Sequence, residues 1–245
     1  MNALCRCLAL LMFVVVMAGL LLIVVFRDRR PDVDKKLCDA LETGNNSYLQ
    51  QYLASGGNVN GPIQLARFER GSGPLLDVAI LNGQLGTVDF LLGKGANPNQ
   101  RDSATHTPLE WAIGGSKNDV PHEIRVQIFK RLLQAGADPN LRVSSEEGYT
   151  PLFHAAFLGE SEMVSILLAT GVSVNATNHE GLTALNFASN AEVARLLLAA
   201  GADRTAHAGG ETPAESAIRF GHFSAFAVLT NAPPETNAAE RKADN

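Results

Sequence analysis

The sequence predicts an all-α solenoid of helix–loop–helix repeats joined by β-turn fingers, preceded by one N-terminal transmembrane helix. Three observations predict it. First, one phrase recurs: "YLASGGNVN" from Tyr52, "LLGKGANPN" from Leu91, "LLQAGADPN" from Leu132, "LLATGVSVN" from Leu167 and "LLAAGADRT" from Leu197. Second, another phrase follows each copy or sits beside it: "PLLDVAILNG" from Pro74, "TPLEWAI" from Thr107, "TPLFHAAFLG" from Thr150, "TALNFAS" from Thr183 and "TPAESAIRFG" from Thr212. Third, "LALLMFVVVMAGLLLIVVF", Leu8 to Phe26, carries no charge.

Taken from the amino terminus, residues 1–7 are a short tail and 8–26 the span. At 1.5 Å per residue the span reaches about 29 Å, the depth of a hydrocarbon core. A cleaved signal peptide is the alternative, with Val16 and Ala18 as a weak cleavage site. Cleavage there would leave "GLLLIVVF" exposed, so a single-pass anchor is expected. Residues 27–34 form a basic linker. Arg27, Arg29, Arg30, Lys35 and Lys36 follow the span, and only Arg6 and the amino terminus precede it. That asymmetry places the repeats in the cytoplasm; a periplasmic or lumenal domain is the alternative. Asn45-Asn46-Ser47 and Asn175-Ala176-Thr177 are glycosylation sequons that matter only in that case.

The repeats occupy 35–231, in segments 35–60 (a degenerate first repeat or cap), 74–99, 107–140, 150–175, 183–205 and 212–231. Two apolar residues end each second helix. A glycine follows: Gly56, Gly95, Gly136, Gly171 or Gly201. Glycine past a helix end takes the left-handed conformation without a Cβ penalty. Asn60, Asn99, Asn140 and Asn175 come next at fixed offset and suit turns by bonding nearby backbone. Thr then caps the first helix and Pro starts it. Small alanines on its inner side let the second helix approach. The last unit reads "VLTNAPP", Val228 to Pro234, with Ala232 in the glycine place. Its prolines stop the pattern. Residues 232–245 are polar and Pro/Ala-rich, a disordered-tail composition.

Successive glycines are 39, 41, 35 and 30 residues apart. With these phrases, the sequence resembles the ankyrin repeat family, whose period is about 33 residues. The best match is "GYTPLFHAAFLGESEMVSILLATGVSVN", Gly148 to Asn175. There are departures. The family places His after "TPL", where Glu110, Phe153, Asn186 and Glu215 stand, so the Thr–His bonds typical of the family are expected to be missing. Repeat three carries an insertion, Gly114 to Glu123. Repeat five runs from "FAS" into "NAEVARLLL" without the inter-helix glycine. The first finger, Gly61 to Ser72, is about six residues too long for the pattern.

The net charge of −5 and the lack of a basic stripe argue against nucleic acid as a partner. Of three cysteines only Cys38 lies among the repeats, so no disulfide framework holds them. Six histidines are scattered, and neither His122-Glu123 nor His179-Glu180 has a second His at metal-binding spacing. "GKG" at Gly93 lacks the rest of a phosphate loop. No cofactor, metal or catalytic residue is expected. Trp111, the single tryptophan, shares a repeat position with His154 and Phe187 and is expected to pack.

The resemblance implies a protein-binding scaffold or regulator, one that sequesters or inhibits a partner enzyme or toxin. It implies contact residues at the fingertips and after the helix-one alanines. The latter are Leu81 and Asn82, Phe157 and Leu158, and Arg219 and Phe220. The tips include Arg101, His106, Arg142, Tyr149, His179 and Leu182, and the long finger adds Arg67, Phe68 and Arg70. The alternative is an enzyme, or a small-molecule or cofactor-binding protein, using the concave groove. His154, His179 and Glu180 around one pocket would favour it; a groove lined by Phe157, Leu158 and Phe220 favours protein binding.

Overall fold

Helix pairs stack in chain order, each against the next. The computed structural model describes residues 31–64, 72–115, 120–142, 148–207 and 210–231. The span Leu8–Phe26, the tails 1–7 and 232–245, and Arg67, Phe68 and Arg70 lie outside them. Among the described residues no helix is long and apolar enough to cross a membrane.

Helices α1 (Pro31–Thr43) and α2 (Asn46–Ala54) form the first pair. The helix starts before Lys35, so residues 31–34 belong to it and not to the expected linker. A two-stranded antiparallel stem follows, β1 (Pro62–Gln64) against β2 (Ser72–Pro74), with Ile63 opposite Gly73. The long first finger thus folds back at its base, and Ile63 is buried in the core. The second pair is α3 (Leu75–Leu81) and α4 (Leu85–Gly93). In the third, α5 (Pro108–Glu110) runs into a π-helical turn (Trp111–Gly115) before α6 (His122–Gln134). The insertion is absorbed partly in that wider turn. The fourth pair is α7 (Pro151–Leu158) and α8 (Ser161–Ala169). The fifth has only a 3-10 turn (Ala184–Phe187) before α9 (Ala191–Ala199). The sixth is α10 (Pro213–Arg219) and α11 (Phe223–Asn231).

The core runs through the stack as one apolar column. Leu41, Leu49, Leu91, Ile113, Phe129, Leu132, Leu152, Met163, Leu167 and Leu197 are all buried. Each fully buried Leu or Phe contributes about 1.5–3 kcal/mol of transfer free energy. Ala79, Ala112, Ala155 and Ala217 are buried in the first helices, where a larger side chain would push the partner helix away.

The five glycines that end second helices all have φ between 83° and 90°. At Gly136 the following amide, of Ala137, donates to Leu132 O at 2.9 Å and so closes the helix. Nothing lies within 4 Å of the place where its Cβ would stand, so only backbone conformation selects glycine there. Gly136→Val is expected to destabilise by about 1–2 kcal/mol, because a β-branched residue resists the left-handed region. Hydrogen exchange over α6 should quicken; unchanged protection would refute the conformational account.

The asparagines do more than shape their own turn. Asn99 donates from Nδ2 to Gly136 O at 2.9 Å and accepts at Oδ1 from the Asp138 amide at 2.7 Å, both in the next repeat. Asn60 bridges to Gly95 O and the Asn97 amide in the same way, and Asn175 to Gly201 O and the Asp203 amide. The local turn bond is made two positions earlier, by Asn58, Asn97, Asp138 and Asp203.

The residues that replace the family's His also bond. Glu110, Asn186 and Glu215 each close a reciprocal capping box with Thr107, Thr183 and Thr212. Phe153 cannot, and Thr150 makes no side-chain cap bond. The expected loss of helix-start bonding is therefore confined, among these four, to repeat four. Finger three is strained elsewhere: Thr105 has φ 71° at the place held by Gly148, Gly181 and Gly210 in other fingers.

Candidate functional site: an aromatic row on the concave face

By the resemblance drawn from the sequence, first helices and fingers line the inner face of the stack. In repeats four to six this face carries a continuous run of rings. Tyr149 and Phe153 pack on Phe187 at 5.3 and 5.7 Å between centroids. Phe157 lies 6.4 Å from Phe187, and Phe220 stacks on Phe187 at 5.8 Å. His222 closes the run, 5.8 Å from Phe220 and 6.4 Å from Phe157. Phe187 is buried, whereas Phe157 is 47% exposed and Phe220 38%.

The last contact joins repeat four to repeat six across repeat five. It exists because repeat five is short. Asn190 follows Thr183 by seven positions where Glu160 follows Thr150 by ten. The missing three are the counterparts of Phe157, Leu158 and Gly159. Without them the first helix shrinks to a 3-10 turn, and no side chain stands between Phe157 and His222. Asn190 restores the helix start by capping α9 through the Val193 amide, and its Nδ2 donates to Gly159 O at 3.1 Å.

The expected contact residues fall into two groups, with Leu182 apart from both. Phe157 and Phe220 come together through Phe187, and Arg219 lies over the Phe220 ring with its guanidinium carbon 4.6 Å from the centroid. Leu158, also exposed, faces the other way: a Cβ on Gly114 of repeat three would collide with it. Tyr149 is half-buried in the ring cluster. A second group is occupied by the fold. Arg101 donates to Arg142 O, and Arg142 in turn to Gly148 O at 2.6 Å and Thr177 O at 3.0 Å, so both tie finger to finger. Asn82 donates back to Val78 O at 2.8 Å, and Leu81 is half-buried. His106 packs against Trp111 at 4.8 Å with the rings tilted, and His179 is exposed on its finger beside Gly148. Leu182 needs a correction. It is 5% exposed, its amide held by Asn178 Oδ1, and it packs between fingers without reaching the surface. Sequence reasoning missed His222, Ile218 and Phe223. The signal for the first was the three-residue deletion, and for the others the lack of a repeat directly after them.

A second cluster lies deeper, in repeats two to four. Glu110 Oε1 is 3.8 Å from His154 Nδ1. Burial raises the Glu110 carboxyl to about 7, partly opposed by its bond from the Thr107 amide and helped by Asp102. Burial, then the nearby His106, lowers His154. Asp77 is pushed well above the ordinary aspartate range by burial and then by Asp102, and neither carboxylate oxygen has a hydrogen-bond partner. His154 thus lies beside Glu110 with its Nδ1 buried and without a hydrogen-bond partner, while His179 and Glu180 are exposed on a finger. Trp111, whose indole Nε1 is buried without a partner, packs against the core. Among the described residues no three His, Cys, Asp or Glu side chains are placed to hold a metal ion.

Comparison with known proteins agrees with this architecture. A model of three ankyrin repeats matches residues 122–208, and a single ankyrin repeat matches 70–103. Glycerophosphocholine phosphodiesterase gde1 of Schizosaccharomyces pombe is 37% identical over 98 residues, 40% of this chain and 8% of that protein. The ankyrin repeat and KH domain-containing protein mask-1 of Caenorhabditis elegans is 31% identical over 171 residues, 68% of this chain and 6% of that protein. The chain therefore spans less than a tenth of the length of these two relatives. Among solved structures, an ankyrin repeat domain from Acinetobacter baumannii superposes with TM-score 0.61 at 27% identity, covering 79% of this chain and 95% of that one. A chain in the complex of the Bdellovibrio bacteriovorus predatory endopeptidase Bd0816 with immunity protein Bd3460 gives TM-score 0.64 at 24% identity, covering 80% and 97%. Repeated phrase, left-handed glycines, stacked helix pairs and these matches agree: the chain belongs to the ankyrin repeat family.

Proposed function

We propose that this protein is a membrane-anchored, non-catalytic scaffold that docks another protein on the concave face of repeats four to six and restrains it, as an inhibitor or sequestering partner of an enzyme or toxin. The observation that carries the reading is the exposed end of the aromatic row, Phe157 and Phe220, held in place by buried Phe187. Rigid, half-exposed aromatic side chains cost little ordering entropy on binding and are enriched where interfaces concentrate their energy. An ankyrin-like stack in a complex of an endopeptidase with an immunity protein supports the restraining role by likeness of fold. The anchor is Leu8–Phe26, and the basic residues after it put the repeats on the cytoplasmic side.

Affinity capture from detergent extract, with the full chain as bait, tests the docking surface. Phe157→Ala and Phe220→Ala should each weaken capture about 10–100-fold, as interface aromatics do, when measured at a temperature where both variants remain folded. Arg195→Ala, on the outer face, should leave capture unchanged. Capture intact in both Phe variants would remove this surface from the account. A reporter fused after Asn231 should be active only in its cytoplasmic form; activity of a periplasmic or lumenal reporter would reverse the topology.

A further inference from the structure

Fingers three and five differ at three matching places. In finger five the Oδ1 of Asn178 holds the amides of Glu180 and Leu182 at 3.0 and 2.9 Å. Gly181 takes the left-handed place, and Asn186 closes the helix start. In finger three Asp102, Thr105 and Glu110 stand at those places. Asp102 Oδ1 holds the amides of Ala104 and His106 at 2.8 and 2.9 Å, and Thr105 is held at φ 71°. A β-branched residue is strained in that region, where glycine is not. Finger three is thus a strained turn closed by a carboxylate, and finger five a relaxed turn closed by a neutral amide. Asp77 and Glu110 add two buried carboxyls beside it. A Cβ on Gly73 would lie 3.8 Å from Asp77 Oδ2 and 3.9 Å from Asp102 Cβ, so Asp77 faces the base of finger three. Asp77 has no bond to either oxygen, because Pro74 stands where the other helix starts carry a threonine. Glu110 keeps its threonine and accepts at Oε2 from the Thr107 amide at 3.2 Å.

We propose that finger three is a pH-sensitive latch, closed while Asp77 and Glu110 carry their protons and released when they lose them. Ionised, both place negative charge beside Asp102, whose own bonds hold the strained turn. Few groups answer that charge. Finger three supplies His106 and Arg101, whose guanidinium reaches the Thr105 carbonyl at 3.2 Å. Helix α7 supplies His154, 3.8 Å from Glu110. On α1 and α4, Lys35, Lys36, Asp39, Glu42 and Asp89 are exposed; on α6 so are His122, Glu123, Lys130 and Arg131, and Arg125 is taken up by Ile113 O and Glu160. The strands β1 and β2 carry no titratable side chain. Burial raises Asp77 well above the aspartate range and Glu110 to about 7, and Asp102 adds to both rises. The closed finger therefore keeps protons that the open one releases. Its hold is fullest below the ordinary carboxyl range and weakens as pH rises through the closed-form values. His154, lowered by burial and then by His106, has the opposite sign and loosens the finger only on the acid side. Release also withdraws Arg101 from the Arg142 carbonyl and so unties finger three from finger four.

Hydrogen exchange of the full chain in detergent at pH 6 and pH 8, read as protection relative to an unstructured chain at the same pH, tests the latch. Between these values the Ala104 and His106 amides should lose protection by about tenfold through Glu110 alone, and by more with Asp77. The Glu180 and Leu182 amides, bonded the same way to an uncharged side chain, should keep theirs. The double variant Asp77→Asn, Glu110→Gln should hold finger three at both pH values, because Gln still accepts from the Thr107 amide. Equal protection of finger three at both pH values in the parent would overturn the proposal. So would an equal loss in fingers three and five, which would mean that the whole stack opens. A loss that persists in the double variant would overturn it too, because the latch would then not be worked by these two acids.

Discussion

Asp77→Asn is expected to be more stable than the parent at pH 8, with the difference nearly gone at pH 4. Asp77 is 2% exposed in α3, with both carboxylate oxygens unpartnered and Asp102 nearby. A buried carboxylate without donors disfavours its charged form, so its folded pKa lies above the unfolded value. The sign follows. Below the ordinary aspartate range both states hold the proton, and the acid behaves much like the amide. As pH rises the unfolded chain releases its proton and the folded chain keeps it, which pulls the equilibrium toward unfolding. In that window the advantage of the variant grows by about tenfold in the folding equilibrium per pH unit. Glu110 and His154 titrate in parent and variant alike and cancel in the difference. Urea titrations of both proteins at pH 4, 6 and 8 supply the numbers. Equal stabilities at all three would mean that Asp77 is ionised and satisfied when folded.

Asn99→Ala should lower stability by about 2 kcal/mol, with the loss centred on the joint between repeats two and three. It removes a donor to Gly136 O and an acceptor for the Asp138 amide, and each such bond is worth about 1 kcal/mol net. Asn99→Asp keeps the acceptor alone and should lose about half as much. The Asp138 amide reports directly: its hydrogen exchange should quicken in the Ala variant and stay slow in the Asp variant. Unchanged exchange in both would show that the bridge carries no stability.

These two cases mark where the sequence stopped being legible. Gly136 could be read from its phrase, because a left-handed helix end is a property of a few consecutive residues. The role of Asn99 could not. Its partners lie 37 and 39 residues on and become neighbours only when the repeats stack. The capping boxes of Glu110 and Glu215 were within reach, since Thr-x-x-Glu is a local pattern; the one closed by Asn186 departs from that pattern. The family's His at that place drew attention to what was lost and away from what replaced it. Phe157 and Phe220 were found because they follow small inner alanines. Leu182 was misplaced because a fingertip position does not fix which way its side chain points.

The contact between Phe157 and His222 has a thermodynamic meaning. An array in which each unit touches only its neighbours has a stability that is a sum of unit and junction terms, so it can fray one unit at a time. A contact that skips a unit breaks that arithmetic. Repeat six cannot detach without also releasing a ring contact with repeat four, and repeat five lies between them with only a 3-10 turn of its own. Repeats four to six should therefore open as a single cooperative block, while repeats one to three follow the additive rule. The loss of three residues from repeat five thus turns the carboxy-terminal half from a zipper into a unit.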